Sequence, residues 1–288
     1  MSPKHYDVVI TADSTCDLPK KYIAENDITV FPLSILLGDR EYLDSVDIKP
    51  NDIYSYVEKG GDLPKTSAVT PQRYYDVFKA FADESKQVVH IGLSSGISSS
   101  YQNALTAAAD FDGVYTVDSK SLCTAMGLLV LKACDLRDKG YSAKKIADKI
   151  SRMVDKLSTT FIINNLEYLH KGGRCSSVAK FGANVLGIKP SITVNKETGK
   201  LEINKKYRGR PDSVYKQYVN DCLKDINKID TDRIVIANSG QMDSATLAFI
   251  DGLIEGKNKF KTIIHADAGC TISSHCGPKT FAIFYLRK

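Results

Sequence analysis

QVVHIGLSSGISSSY, residues Gln87 to Tyr101, decides the fold. Its first part, Gln87–Leu93, is a short apolar run of the kind that forms a buried strand. The serines of Ser94–Ser100 make the loop that follows, and Tyr101–Ala109 reads as a helix. Gly113–Val117 then returns as another strand. Upstream the same alternation repeats. Tyr6–Thr11 (YDVVIT) is a strand closed by the turn formers Ala12-Asp13-Ser14-Thr15, and a polar helix starts at Pro19. Ile28–Leu37 reads as one further strand. Thr70-Pro71 opens a helix whose Tyr74, Tyr75, Phe78 and Phe81 fall at helical spacing. This β-α-β rhythm predicts an α/β fold with an N-terminal, mostly parallel sheet covered by helices.

Downstream the rhythm breaks. Two helices, Leu122–Lys139 and Ala143–Leu157, are placed to bridge two domains. Beyond Ser158 the strands are short: Phe161–Asn164, Ser191–Asn195, Lys200–Asn204, Arg233–Ala237, Thr262–Ala266 and Phe281–Leu286. Asn195-Lys196-Glu197-Thr198-Gly199 has the spacing of a hairpin turn. Helices start near Asp212 and Asp243. The expectation is a second, α+β domain of mixed sheet over residues 158–288, after an α/β domain over residues 1–157.

Composition narrows the function. The 288 residues are 43% hydrophobic and 25% charged, an ordinary globular balance. A net charge of +5 over this length is too small to imply nucleic-acid binding. Seven cysteines contain no C-x-x-C pair and cannot all be paired within one chain. Cysteine used as a small apolar residue in a reduced, cytoplasmic protein is the simplest reading. No signal-like region precedes Tyr6, and no apolar run approaches a membrane span. Histidine and cysteine never cluster at ligand spacing, so neither a metal nor a cofactor is expected.

Three polar segments are candidates for chemistry: Asp13-Ser14-Thr15, Lys65-Thr66-Ser67 and the Ser94–Ser100 loop. Ligands of parallel sheets collect beyond the carboxyl ends of the strands, where hydroxyls and free amides meet an anion. Helix capping alone is the plainer account of each. Gly92-Leu93-Ser94-Ser95-Gly96 also matches the G-x-S-x-G elbow of serine hydrolases, with Asp267 and His275 downstream. Against an esterase stand five serines where one is needed and the lack of a His-Gly-Gly oxyanion loop. His275, before Cys276-Gly277-Pro278, is either structural or aimed out of the sheet by the turn behind it. Lys171-Gly172-Gly173-Arg174 and Lys205–Arg210 are solvated basic runs, or they hold a phosphate or an acidic partner.

Taken in order, these segments resemble the DegV family of fatty-acid-binding proteins. The resemblance runs through ADST at residues 12–15, Thr66-Ser67, SSGISSSYQNA at Ser94–Ala104, LHKGGR at Leu169–Arg174 and H-x-G-P at His275–Pro278. It implies two domains with a long-chain fatty acid, such as palmitate, stearate or oleate, in a tunnel between them. It also implies that Thr66, Ser94 or Ser95, and His275 surround the carboxylate. Some relatives are the lipid-binding subunit of a bacterial fatty acid kinase. They present the carboxylate to a separate ATP-dependent subunit, and the resemblance puts Arg208 at that contact. A transient contact with a membrane surface is compatible with such a role. The sequence departs from the family pattern at Ala68-Val69, at Ser99-Ser100 and at Lys279, where relatives carry glycine. The last brings a cation toward the head group.

These residue types suit the task. Burying an unpaired carboxylate is prohibitive, whereas two hydroxyls, a loop N–H and a histidine satisfy its lone pairs. No G-x-x-x-x-G-K-[ST] loop is present to bind ATP, so a carrier is expected rather than an enzyme.

Overall fold

Residues 6–176, 188–257 and 259–288 are described by this computed structural model, and they build three sheets. The strands of the first half are β1 (Val8–Asp13), β2 (Ile28–Phe31), β3 (Ser34–Leu37), β4 (Arg40–Leu43), β5 (Lys65–Ser67), β6 (Gln87–Gly92) and β7 (Val114–Asp118). Those of the second half are β8 (Leu157–Ile162), β9 (Ile188–Val194), β10 (Leu201–Arg208), β11 (Ile229–Asn238), β12 (Thr262–Asp267) and β13 (Phe281–Arg287).

The four-stranded sheet has the order β2-β1-β6-β7, and all its pairings are parallel. The helix Pro71–Asp83 covers it as expected. The Thr70 hydroxyl caps that helix by accepting from the Arg73 N–H, while Tyr74 and Phe78 are fully buried. One expectation fails here. Ile28–Leu37 is not one strand, because Pro32 offers no N–H to the ladder and the chain turns away. The Leu33 N–H is instead satisfied by the Ser14 hydroxyl, 3.2 Å away. Beyond this break, β3 pairs antiparallel with β4 and β5 as a small separate sheet that the sequence reading lacked.

The six-stranded sheet has the order β10-β9-β8-β13-β11-β12, antiparallel except for β11 with β12. The hairpin at Asn195–Gly199 is present. Gly199 has φ +68°, a left-handed conformation that closes the turn and that glycine adopts without strain.

The helix Cys123–Asp138 lies between the two large sheets and touches strands of both. Every one of its residues from Cys123 to Leu131 is buried, so it is apolar all round rather than amphipathic. At its far end Asp135 makes a two-pronged ion pair with Arg233 of β11, at 2.5 and 2.8 Å. The next helix, Ala143–Met153, buries only one face, through Ala143, Ile146, Ala147 and Ile150. The main core is continuous from Ile10 and Val88 of the parallel sheet to Phe161, Val235 and Phe284 of the mixed one.

Candidate functional site

The site grows from the short helix Cys270–Cys276. His275 stands in the last turn of this helix and is not aimed out of a sheet by the turn behind it. Asp44, far away in sequence, accepts the Cys270 N–H at 2.7 Å and so supports the first turn of a helix. From this helix the His275 Nε2 meets the Thr66 hydroxyl of β5 at 2.8 Å. Thr66 and His275, 209 residues apart, therefore form one hydrogen-bonded pair.

This pair lies on the wall of a cavity with about 910 Å³ of empty volume, part of it open to solvent. The mixed sheet supplies one wall. Phe161, Ala282 and Ala237 are register partners across β8, β13 and β11, and all three face the cavity. The two alanines leave the room that Phe161 and Phe284 border. Leu93 and Ile97, with Ser98 and Ser99 of the serine loop, also line the cavity. Apolar carbon dominates, although seven of the lining residues carry a hydroxyl.

Electrostatics at the pair are set by burial. Desolvation, and then the nearby Arg174 guanidinium, push His275 down to about 4, so its ring is neutral near pH 7. Its Nδ1 is buried and, among the described residues, has no hydrogen-bond partner. Arg174 lines the cavity with its side chain largely exposed, and its Nη1 donates to the Gly172 carbonyl at 2.7 Å. Thus the Lys171–Arg174 run is used at the site, which its charge alone did not reveal.

The two serines stand elsewhere. Ser94 is fully buried, and its hydroxyl donates to the Gly199 carbonyl at the tip of the β9–β10 hairpin, 2.7 Å away. Ser95 is exposed, and its hydroxyl donates to the Asp118 carboxylate at 2.5 Å. Neither is among the residues that line the cavity. Ser98 and Ser99, later in the same loop, are. The first polar segment is structural as well. Asp13 accepts from the Tyr74 hydroxyl and from the Leu93 N–H, and burial raises it to about 6. The Ser14 hydroxyl donates to Asp44 at 2.7 Å.

A hydrolase needs a serine against an imidazole. Here His275 Nε2 is engaged with Thr66, while Ser94 and Ser95 are engaged with a carbonyl and a carboxylate. The second glycine of the G-x-S-x-G match has a packing reason. A side chain on Gly96 would stand 2.6 Å from the Gly199 carbonyl oxygen and closer still to that of Thr198. The loop is thus clasped to the hairpin, backbone against backbone. Lys120 adds to the clasp by donating to the Lys196 and Glu197 carbonyls at 3.1 and 3.2 Å.

Lys279 is exposed and is not in the cavity wall, so it brings no cation to the pair. Its φ of +60° is a conformation that suits the glycine of relatives. Arg208 is exposed at the end of the edge strand β10 and does not line the cavity. Among the described residues no cluster suited to a metal occurs, and no helix is long and apolar enough to cross a membrane.

Comparison with known proteins gives a consistent picture. The model of the DegV family, described as an uncharacterised protein family, matches residues 7–288. A DegV domain-containing protein from Clostridium acetobutylicum is 34% identical over 285 residues, 98% of this chain and 99% of the relative. Among solved structures, a fatty-acid-binding DegV family protein from Thermus thermophilus superposes with a TM-score of 0.89. It is 25% identical, with 98% of this chain and 99% of that one covered. A stearic-acid-binding protein from Eubacterium ventriosum gives a TM-score of 0.83 at 26% identity, with 99% of each chain covered. Fold, motifs and full-length similarity agree, and the chain belongs to the DegV family.

Proposed function

We propose that this protein binds one long-chain fatty acid in the cavity, with the carboxylate at the Thr66–His275 pair and the acyl chain against the Phe161–Ala282–Ala237 wall. The observation that carries this reading is a neutral, hydrogen-bonded Thr–His pair set in the wall of an otherwise mostly apolar cavity. Burial of about 14 methylenes offers roughly 11 kcal/mol of gross transfer free energy at ~0.8 kcal/mol each. Immobilising the lipid offsets part of that. Chain burial therefore supplies most of the affinity, and the polar pair supplies selection for an acid. The solved relatives that bind a fatty acid, stearic acid in one case, support fatty-acid binding.

In this proposal Ser99 approaches the head group, Ser98 beside it donates its hydroxyl to Ser100 at 3.1 Å, and Ser94 and Ser95 stand behind and brace the loop. One of the latter could hold the carboxylate only by releasing Gly199 or Asp118. Residues 1–157 and 158–288 close on the lipid from its two sides. The protein acts as a cytoplasmic carrier rather than an enzyme. It presents the carboxylate to a separate ATP-dependent kinase subunit, for which the exposed Arg208 is the proposed contact.

Lipid extraction and mass spectrometry of the native protein test the core of this reading. The expected result is close to one fatty acid per chain. A lipid-free protein that also fails to bind added palmitate or oleate would overturn it.

A further inference from the structure

Gly172 packs against Nδ1 of His275, the ring nitrogen that has no partner among the described residues. A side chain on Gly172 would collide with Nδ1, would stand 3.2 Å from Cε1 and would stand 2.8 Å from the Tyr168 carbonyl oxygen. The backbone at Gly172 is ordinary, with φ −68° and ψ −16°, so conformation does not demand glycine there. Lack of room does. Both backbone groups are also fastened, because the Gly172 N–H donates to the Tyr168 carbonyl at 2.9 Å and its carbonyl accepts from Arg174 at 2.7 Å.

A neutral imidazole carries one N–H and one lone pair. What faces Nδ1 is the Cα–H of Gly172, which complements a lone pair weakly and repels an N–H. Buried orphan N–H groups are also the rarer defect in folded proteins. The proton therefore belongs on Nε2, which donates to the Thr66 oxygen. Thr66 then keeps its own hydroxyl proton to give away. In the opposite tautomer Thr66 would donate to Nε2 and show a carboxylate only lone pairs.

We infer that Gly172 is a positioning residue that holds His275 in the Nε2–H tautomer before lipid arrives, so that Thr66 is preset as a hydrogen-bond donor to a carboxylate. The ligand part of this rests on the fatty-acid reading of the cavity; the tautomer does not.

The test is nitrogen NMR of delipidated protein labelled with ¹⁵N-histidine at pH 7, with the His275 signals identified by their loss in His275→Gln. A protonated Nε2 and a bare Nδ1 are expected. Gly172→Ala should displace the ring, mix the tautomers and weaken palmitate binding by about tenfold or more, the effect of losing a donor to a charged group. Binding of hexadecanol should fall far less. A protonated Nδ1 in the lipid-free wild type overturns the proposal, and so does a Gly172→Ala protein with wild-type tautomer and palmitate affinity. If Gly172→Ala does not fold, the wild-type spectrum decides alone. If Nε2 is protonated but no fatty acid binds, the carboxylate assignment falls and the tautomer stands.

Discussion

Gly96→Ala should destabilise the protein by about 2–4 kcal/mol, although it adds a single methyl group. The new carbon would lie 2.6 Å from the Gly199 carbonyl oxygen, and its other close neighbours are also backbone atoms, which cannot swing aside. Loop and hairpin must separate. That breaks the buried Ser94–Gly199 hydrogen bond and strands an acceptor, at about 1–3 kcal/mol. The two part-exposed Lys120 bonds and the lost packing add roughly 1 kcal/mol more. A loss near 3 kcal/mol lowers Tm by roughly 6–12 °C. Calorimetry or urea unfolding measures this. Ser94→Ala alone should cost about 1–3 kcal/mol, and the two changes should be markedly less than additive because they break the same bond. A Gly96→Ala protein within about 0.5 kcal/mol of wild type, the usual range of a harmless surface change, would refute the clasp.

Four further outcomes are expected. Thr66→Val should weaken palmitate binding about tenfold to a hundredfold and abolish the preference for palmitate over hexadecanol. Ser94→Ala should leave that preference intact, and isothermal titration distinguishes the two. Ala282→Leu fills the cavity between Phe161 and Ala237 and should reduce stearate affinity by roughly 1–3 kcal/mol with little change in lipid-free Tm. His275 is held down to about 4 against an ordinary 6.5, so the unfolded chain binds the extra proton between those values. The His275 contribution to stability therefore rises with pH through that window and is complete above it. Palmitate affinity should be flat from pH 6.5 to 8; tightening as pH falls toward 6.5 would show a charged imidazole instead. A fluorophosphonate probe should label neither Ser94 nor Ser95, and robust labelling lost in His275→Ala would restore the hydrolase.

The parallel half of the fold was legible because its signals are local. Apolar runs, the Thr70-Pro71 helix start and the spacing of Tyr74 and Phe78 need no tertiary knowledge, and neither does the Asn195–Gly199 turn. The small sheet around β3 was hidden because Pro32 divides a run that reads as continuous, and β5 is only three residues long. The helix carrying His275 was hidden because its first N–H is satisfied by Asp44, which sequence proximity cannot reveal. At the site, motif resemblance selected Thr66 and His275, and the fold brings them together. The serine loop was recognised correctly as a loop, but which serine faces inward depends on the hairpin docked against it. Gly172 was read as part of a basic run, since nothing local shows that an imidazole will rest on it.

The helix Cys123–Asp138 has a consequence for how the chain acquires its structure. It belongs by sequence to the half that is synthesised first, yet one of its apolar flanks can be covered only by strands made later. Until β8, β11 and β13 arrive, that flank has no protein partner and is a ready target for chaperones or aggregation. The β8–β13 pairing that completes the sheet also joins distant parts of the chain, Leu157 with Leu286, so closing it is entropically slow. Folding should thus conclude in one late step in which the mixed sheet assembles over the waiting helix, and the cavity comes into being at that same moment.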